Sequence, residues 1–205
     1  MRLLSFFIFS MVTAIPHLAC GRSQRLSLRF SVDNEMAALR HPDADYLAPT
    51  KSWAYIPRLG LNLTYETSTV LSVGIGPEVS VPSTYMTPSA SYQFLTGNLY
   101  ARYLDVLLPV TATVNFAQGI DWKIGLRLSA GPAFERWQTV AFRSSKGRRL
   151  PLTETSEWHS GFFGQVGLLG EGRPSNSTAI LTGPYVGLDS RRNLSFGLVA
   201  QLGLL

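Results

Sequence analysis

The sequence predicts an all-β chain folded as an eight-stranded antiparallel up-and-down transmembrane β-barrel. Three observations carry this. Apolar and polar residues alternate with period two along most of the chain, the mark of strands with one greasy face. Long connections take turns with short ones, as in barrels whose two ends differ. A short apolar leader precedes the first strand and reads as an export signal.

The leader comes first. Arg2 supplies a positive start, and Leu3 to Ile15 form an apolar run (LLSFFIFSMVTAI). That run is too short to cross a bilayer as a helix. Pro16 breaks it, and Ala19-Cys20-Gly21 places small residues before Arg22. The expected division is a signal peptide over 1–21 and a barrel domain over 22–205. A lipoprotein signal with acylated Cys20 is the rival, but His17 stands where such a signal wants Leu.

The strands follow in order. The first, near 23–33, sets Leu26, Leu28, Phe30 and Val32 against Arg25, Ser27, Arg29 and Ser31. The second, near 53–66, sets Trp53, Tyr55, Leu59, Leu61 and Leu63 against Arg58, Gly60, Asn62 and Thr64. After a tight turn at 67–68, the third, near 69–81, sets Leu71, Val73, Ile75 and Val79 against Ser72, Gly74, Glu78 and Ser80. The fourth, near 99–116, sets Leu104, Val106, Leu108 and Val110 against Tyr103, Asp105, Thr111 and Thr113. The fifth, near 120–137, sets Trp122, Ile124, Leu126, Leu128 and Phe134 against Lys123, Arg127, Ser129 and Glu135. The sixth, near 157–171, has Trp158, Phe162, Val166 and Leu168 against His159, Gly161, Gln165 and Gly167. The seventh, near 179–189, has the weakest pattern. The eighth, near 193–205, alternates Leu194, Phe196, Leu198, Leu202 and Leu204 with Ser195, Gly197, Gln201 and Gly203.

With the first strand starting in the periplasm, the outward loops are 34–52, 82–98, 138–156 and 190–192. The periplasmic turns are 67–68, 117–119 and 172–178. Gly-Pro recurs at Gly76-Pro77, Gly131-Pro132 and Gly183-Pro184. Proline removes a ladder hydrogen bond, so a bulge or a strand end is expected at each.

Alternation alone does not say which face is outside. A soluble, secreted, lipocalin-like ligand-binding barrel would turn the apolar face inward. Two features favour lipid. The polar face carries small residues and charges of both signs, which suits a filled lumen. The aromatics of the apolar face fall at strand ends: Tyr65, Phe116 and Trp122 at one end, Trp53, Tyr55, Phe134 and Trp158 at the other. Amphipathic rings prefer headgroup level. The expected location is therefore the outer membrane of a bacterial envelope.

Composition agrees and excludes alternatives. Charged residues are 15%, below the usual quarter of a soluble domain. Mean hydropathy is only +0.11, because alternation averages out. A net charge of +5 with no basic–aromatic stripe argues against nucleic acid, and a single Cys excludes a disulfide framework. No cofactor and no metal are called for.

The stretches YLDVLLPVTATVNF (Tyr103 to Phe116) and GLRLSAGPAFERW (Gly125 to Trp137) resemble the PorT-like outer-membrane barrels of Bacteroidetes, in the wider class of OmpA-like small barrels. Pro109 falls later here than in that pattern. The resemblance implies a small integral barrel, of a kind often without a known role and sometimes tied to secretion or envelope integrity, and it brings no catalytic residues.

Two groups of residues stand out. Arg29, Arg58, Glu78, Asp105, Lys123, Arg127 and Glu135 are expected to form a charge network that plugs the lumen, since eight strands leave an interior just wide enough for side chains. Arg102, Arg136, Arg143, Lys146, Arg148 and Arg149 are expected to form a basic outer rim that meets lipopolysaccharide phosphates, for which the guanidinium fork is well shaped. Outer-membrane lipid, lipopolysaccharide and envelope proteins are the expected partners of a monomer. An outer-membrane lipid-modifying enzyme is the other alternative. His159 has Ser160 beside it and Glu157 and Glu171 on its own face, but adjacent strand residues point to opposite faces, so Ser160 does not reach His159. The expectation is no catalytic site.

Overall fold

The computed structural model describes residues 25–39, 52–92, 95–147, 149–151, 156–175, 177–190 and 193–204. The predicted signal peptide, Cys20 and residues 40–51 of the first loop lie outside them. Twelve antiparallel strands follow: β1 (Arg25–Leu39), β2 (Ser52–Glu66), β3 (Leu71–Ile75), β4 (Glu78–Ser80), β5 (Ser83–Tyr92), β6 (Leu95–Leu107), β7 (Val110–Gln118), β8 (Trp122–Ser144), β9 (Arg149–Pro151), β10 (Ser156–Ser175), β11 (Thr178–Asp189) and β12 (Leu194–Leu204).

These strands make eight staves. β3, β4 and β5 succeed one another along the third, and β6 and β7 along the fourth, while β9 is a short arm on β8. Each stave pairs with the next in sequence. The ring then closes, because Leu28 of β1 faces Leu63 of β2 on one side and Leu204 of β12 on the other. Closure pairs the backbone groups of the first and last staves and leaves no open edge between them.

The short turns Thr67–Val70 and Gly119–Asp121 and the paired residues Ser175 and Thr178 lie at the end where β1 starts and β12 finishes, here the turn end. At the first of them, Ser68 Oγ accepts from the amides of Val70 and Leu71 at 3.2 and 3.1 Å. The opposite end is the loop end.

Alternation sorts the faces. Arg58 is 4% exposed and its neighbour Leu59 is 57% exposed. Leu108, Leu126 and Leu198 are likewise exposed, and Val73 is half-buried. The greasy face therefore looks away from the axis, and small and charged residues fill the inside.

Three expectations need correction. The loops 82–98 and 138–156 are mostly strand: β5, the start of β6, the end of β8 and β9 occupy them. The reason is an apolar core that fills the loop end of the lumen, with Leu39, Ile56, Tyr85, Tyr103 and Trp137 packed together. The rings of Tyr103 and Trp137 meet edge-on at 4.8 Å between centroids. A register shift between Tyr100 and Ala101 in the β6–β8 pair then changes which residues of β8 face inward. Phe142 is fully buried and Arg143 points out.

The first strand also runs on to Leu39, which brings Glu35 into the lumen.

The third correction concerns the Gly-Pro steps. Gly76-Pro77 is a break between β3 and β4, but Gly131-Pro132 and Gly183-Pro184 lie inside β8 and β11 with no register shift. All three glycines answer the same need. A Cβ on Gly76, Gly131 or Gly183 would overlap the carbonyl oxygen of Leu61, Leu108 or Leu168 on the neighbouring stave. At Pro132 the neighbour makes the adjustment: Leu108 N donates to Pro132 O at 3.1 Å, proline returns no bond, and the stave opens at Leu108-Pro109 between β6 and β7.

Candidate functional site

The lumen is organised around two knots of charge. Near its middle, Arg58 of β2 donates from Nε to Asp105 Oδ1 at 3.0 Å and from Nη2 to Asp105 Oδ2 at 2.6 Å. The same guanidinium binds Glu35 of β1, Nη2 to Oε1 at 3.0 Å. Tyr185 of β11 donates to Glu35 at 2.8 Å, and Tyr103 donates to Asp105 at 3.0 Å. One arginine thus ties β1, β2 and β6, and Glu35 extends the link to β11 through Tyr185.

At the turn end, Glu66 accepts from Arg173 at 2.7 Å and from Lys123 at 3.4 Å. Arg29 lies 3.7 Å from Glu66 and 3.6 Å from Glu171. Arg173 also donates to Glu171 at 2.7 Å. Between the two knots, Arg127 lies 3.6 Å from Glu78, which also accepts from Asn62 at 3.4 Å. Trp137 Nε1 donates to Glu135 at 3.3 Å.

All seven lumen residues named from the sequence face the interior, with Arg29, Arg58, Glu78, Asp105 and Glu135 buried and Lys123 and Arg127 half-buried. Arg25 is exposed at the turn end. Glu35, Glu66, Arg173 and Tyr185 were not picked out. Glu66 continues the parity of Asn62 and Thr64, so its signal was present. Glu35 and Arg173 lie beyond the strand ends that alternation marked.

Two small spaces lie in the lumen among the described residues. The lumen cavity beside Arg58, Asp105 and Glu135 measures about 40 Å³. A second, beside Asp33, Glu78 and Arg127, measures about 10 Å³. Room for a water takes roughly 10–15 Å³, so these spaces suit waters and not a bound organic ligand. Asp33 Oδ1, in the smaller one, has no protein hydrogen-bond partner. Among the described residues no cluster of His, Cys, Asp and Glu is arranged to hold a metal ion, and no helix is long and apolar enough to cross a membrane.

His159 is half-buried and stands opposite Glu135 in the β8–β10 register. Ser160 is exposed on the other face. Glu171 does share the face of His159, but at about 3.3 Å per residue it lies roughly 40 Å along the strand. The Glu157 side chain lies outside the described residues. Among the described residues, His159, Ser160 and Glu171 are thus kept apart and do not form a nucleophile–base set.

Arg102, Arg136, Arg143 and Lys146 are exposed toward the loop end. Arg148 lies outside the described residues, as does the side chain of Arg149, whose backbone belongs to β9. Arg102 faces Gln138 and Arg136 faces Leu104 in the β6–β8 register. Arg136 Nε donates to Ser156 Oγ at 2.7 Å, and its guanidinium lies 5.9 Å from the centre of the Trp158 ring.

No family model matches the chain, and no curated protein matches it. Among solved structures it is similar to Ail, the attachment invasion locus protein of Yersinia pestis, seen in complex with the heparin analogue sucrose octasulfate. The TM-score is 0.51 at 10% identity, over 89% of this chain and 99% of that one. It is similar to Neisserial surface protein A with a TM-score of 0.50 at 11% identity, over 89% and 99%. Such identities speak for the fold alone. The chain has the fold of the small eight-stranded outer-membrane β-barrels.

Proposed function

We propose that the chain is an integral outer-membrane protein, exported behind a cleaved signal peptide, that holds surface loops outside the cell and works by contact and not by catalysis. One observation carries the reading: large apolar side chains cover the outside of a closed barrel whose charges are packed within. Exposed patches of that extent are not left to water. On β8 the apolar outer face runs from Trp122 to Phe134. That is roughly 40 Å of strand at 3.3 Å per residue, which at the usual tilt of about 45° rises roughly 28 Å, close to a hydrocarbon core. Trp53, Tyr55, Trp158, Phe116 and Trp122 stand exposed toward the two ends, where interfacial rings belong.

A soluble ligand-binding barrel needs the reverse arrangement and a cavity of about 300 Å³ or more. The separation of His159, Ser160 and Glu171 supports a non-enzymatic reading. Kinship with PorT-like barrels rests on Tyr103–Phe116 and Gly125–Trp137 and gives an envelope role as its content. The expected partners are outer-leaflet lipid and lipopolysaccharide, met by the rim cations, and envelope proteins met by the loops.

The test is membrane fractionation of the expressed chain with a carbonate wash, joined to gel mobility before and after boiling. Retention in the pellet and a heat-dependent mobility shift are expected. Release by carbonate as a monomer soluble in plain buffer would sink the reading.

A further inference from the structure

The structure assigns a phosphate-binding subsite for one outer-leaflet glycolipid to the outer wall of β6, β8 and β10. The inference rests on the outer-membrane reading and narrows it from a general rim to one place.

Arg102 and Arg136 are the first charged residues beyond the apolar belt on their strands. Below them, on the same outer faces, come Leu104, Val106 and Phe134. The two arginines are diagonal neighbours across the β6–β8 ladder, a separation of about 7–8 Å at the backbone. A surface cleft of about 200 Å³ lies between them, lined also by Pro82, Leu104 and Gln138. Neither arginine has an acidic partner among the described residues.

Arg136 is held in place. Its Nε is committed to Ser156, and its plane lies near the Trp158 ring. A fixed guanidinium loses little freedom when its remaining N–H groups take a phosphate oxygen, and two forks can share one phosphate.

The wall is also distinctive. On β2 the outer face stays aromatic to its end at Tyr55 and Trp53, and on β12 it stays apolar through Leu194. Among the described residues, the exposed cations near the loop end all belong to β6, β8 and the turn after β8. A ligand matching this wall has acyl chains beside Leu104 and Phe134, a phosphate at Arg102 and Arg136, and sugar toward Arg143. That is a phosphorylated glycolipid of the lipid A type.

The experiment uses the folded barrel in nanodiscs with a phosphatidylcholine background. Labelled lipid A and enzymatically dephosphorylated lipid A are titrated into separate samples, and pyrophosphate is titrated in detergent. Wild type should prefer lipid A over its dephosphorylated form by about tenfold or more, and Arg102→Gln/Arg136→Gln should lose that preference. Arg102→Lys/Arg136→Lys should retain part of it, and pyrophosphate alone should bind weakly. Added salt should reduce the preference in wild type, an internal check that needs no variant. Equal binding of the two lipids by wild type, or an unchanged preference in the Gln pair, overturns the subsite while leaving the membrane reading intact. Pyrophosphate binding as tight as lipid A overturns the lipid assignment. Failure of wild type to enter the nanodisc overturns both.

Discussion

Arg58 reaches from β2 past the intervening β4 to clamp Asp105 on β6, with Nε and Nη2 on the two carboxylate oxygens at 3.0 and 2.6 Å. The pair is buried, and Glu35 completes it from the other side.

Removing the arginine alone should be costly. Arg58→Met strands two buried carboxylates, and breaking a buried pair from one side costs about 3–5 kcal/mol. The urea midpoint, followed by the mobility shift of the folded barrel, should fall. Arg58→Met combined with Glu35→Gln and Asp105→Asn should recover much of the loss. No recovery would mean that the arginine acts by packing and not by charge.

Asp33 and Asp105 make a contrast inside the same lumen. Asp105 accepts from Arg58 and Tyr103, whereas Asp33 Oδ1 lacks a protein partner in a buried place. Asp33→Asn is expected to leave the urea midpoint level or raise it. Asp105→Asn should lower stability by about 1.5–3 kcal/mol, the range for a hydrogen bond to a charged group. Equal losses at both positions would refute the difference in satisfaction.

The Gly-Pro steps predict a position-dependent alanine scan. At Gly183 an added Cβ overlaps Leu168 O, while at Gly164 it meets nothing within 4 Å. Gly183→Ala should cost about 1–3 kcal/mol through overpacking, and Gly164→Ala should fold like wild type. Folded yield after refolding into detergent reads the difference.

A filled lumen predicts electrical silence. With lumen cavities of about 40 and 10 Å³, planar bilayers containing the barrel should show no stepwise current at high salt. Discrete, repeatable steps would mean that the Arg58 knot opens.

His159→Ala should leave the mass spectrum of lipid A unchanged in cells that carry the variant, because Ser160 points to the other face and Glu171 lies at the far end of the strand. A modification present with wild type and lost in the variant would restore the enzyme reading.

The staves were legible because period-two patterning has one physical cause, a sheet with an apolar wall outside and a polar, side-chain-filled lumen inside. Arg58 beside Leu59 is enough to show the sorting. The same rule also hid what it did not reach. Near the loop end Ile56, Tyr85 and Trp137 face inward and are apolar, so the inside no longer differs chemically from the outside and the pattern loses its meaning. Phe142 was hidden further by the shifted register near Tyr100, since one offset reverses every face beyond it. Arg102 and Arg136 were visible as rim cations. Their adjacency was not, because it depends on the β6–β8 register and not on spacing in the chain.

The pairing of Leu28 with Leu204 separates this sheet from a row of independent hairpins. Seven seams join neighbours in the chain and can zip locally. The eighth joins its two extremes and carries the largest loop-closure entropy. Until that seam is sewn, β1 and β12 each present a bare edge that another chain can cap. The slow step of biogenesis, and the moment of greatest risk of misassembly, should fall at this last stitch, after every hairpin is already in place.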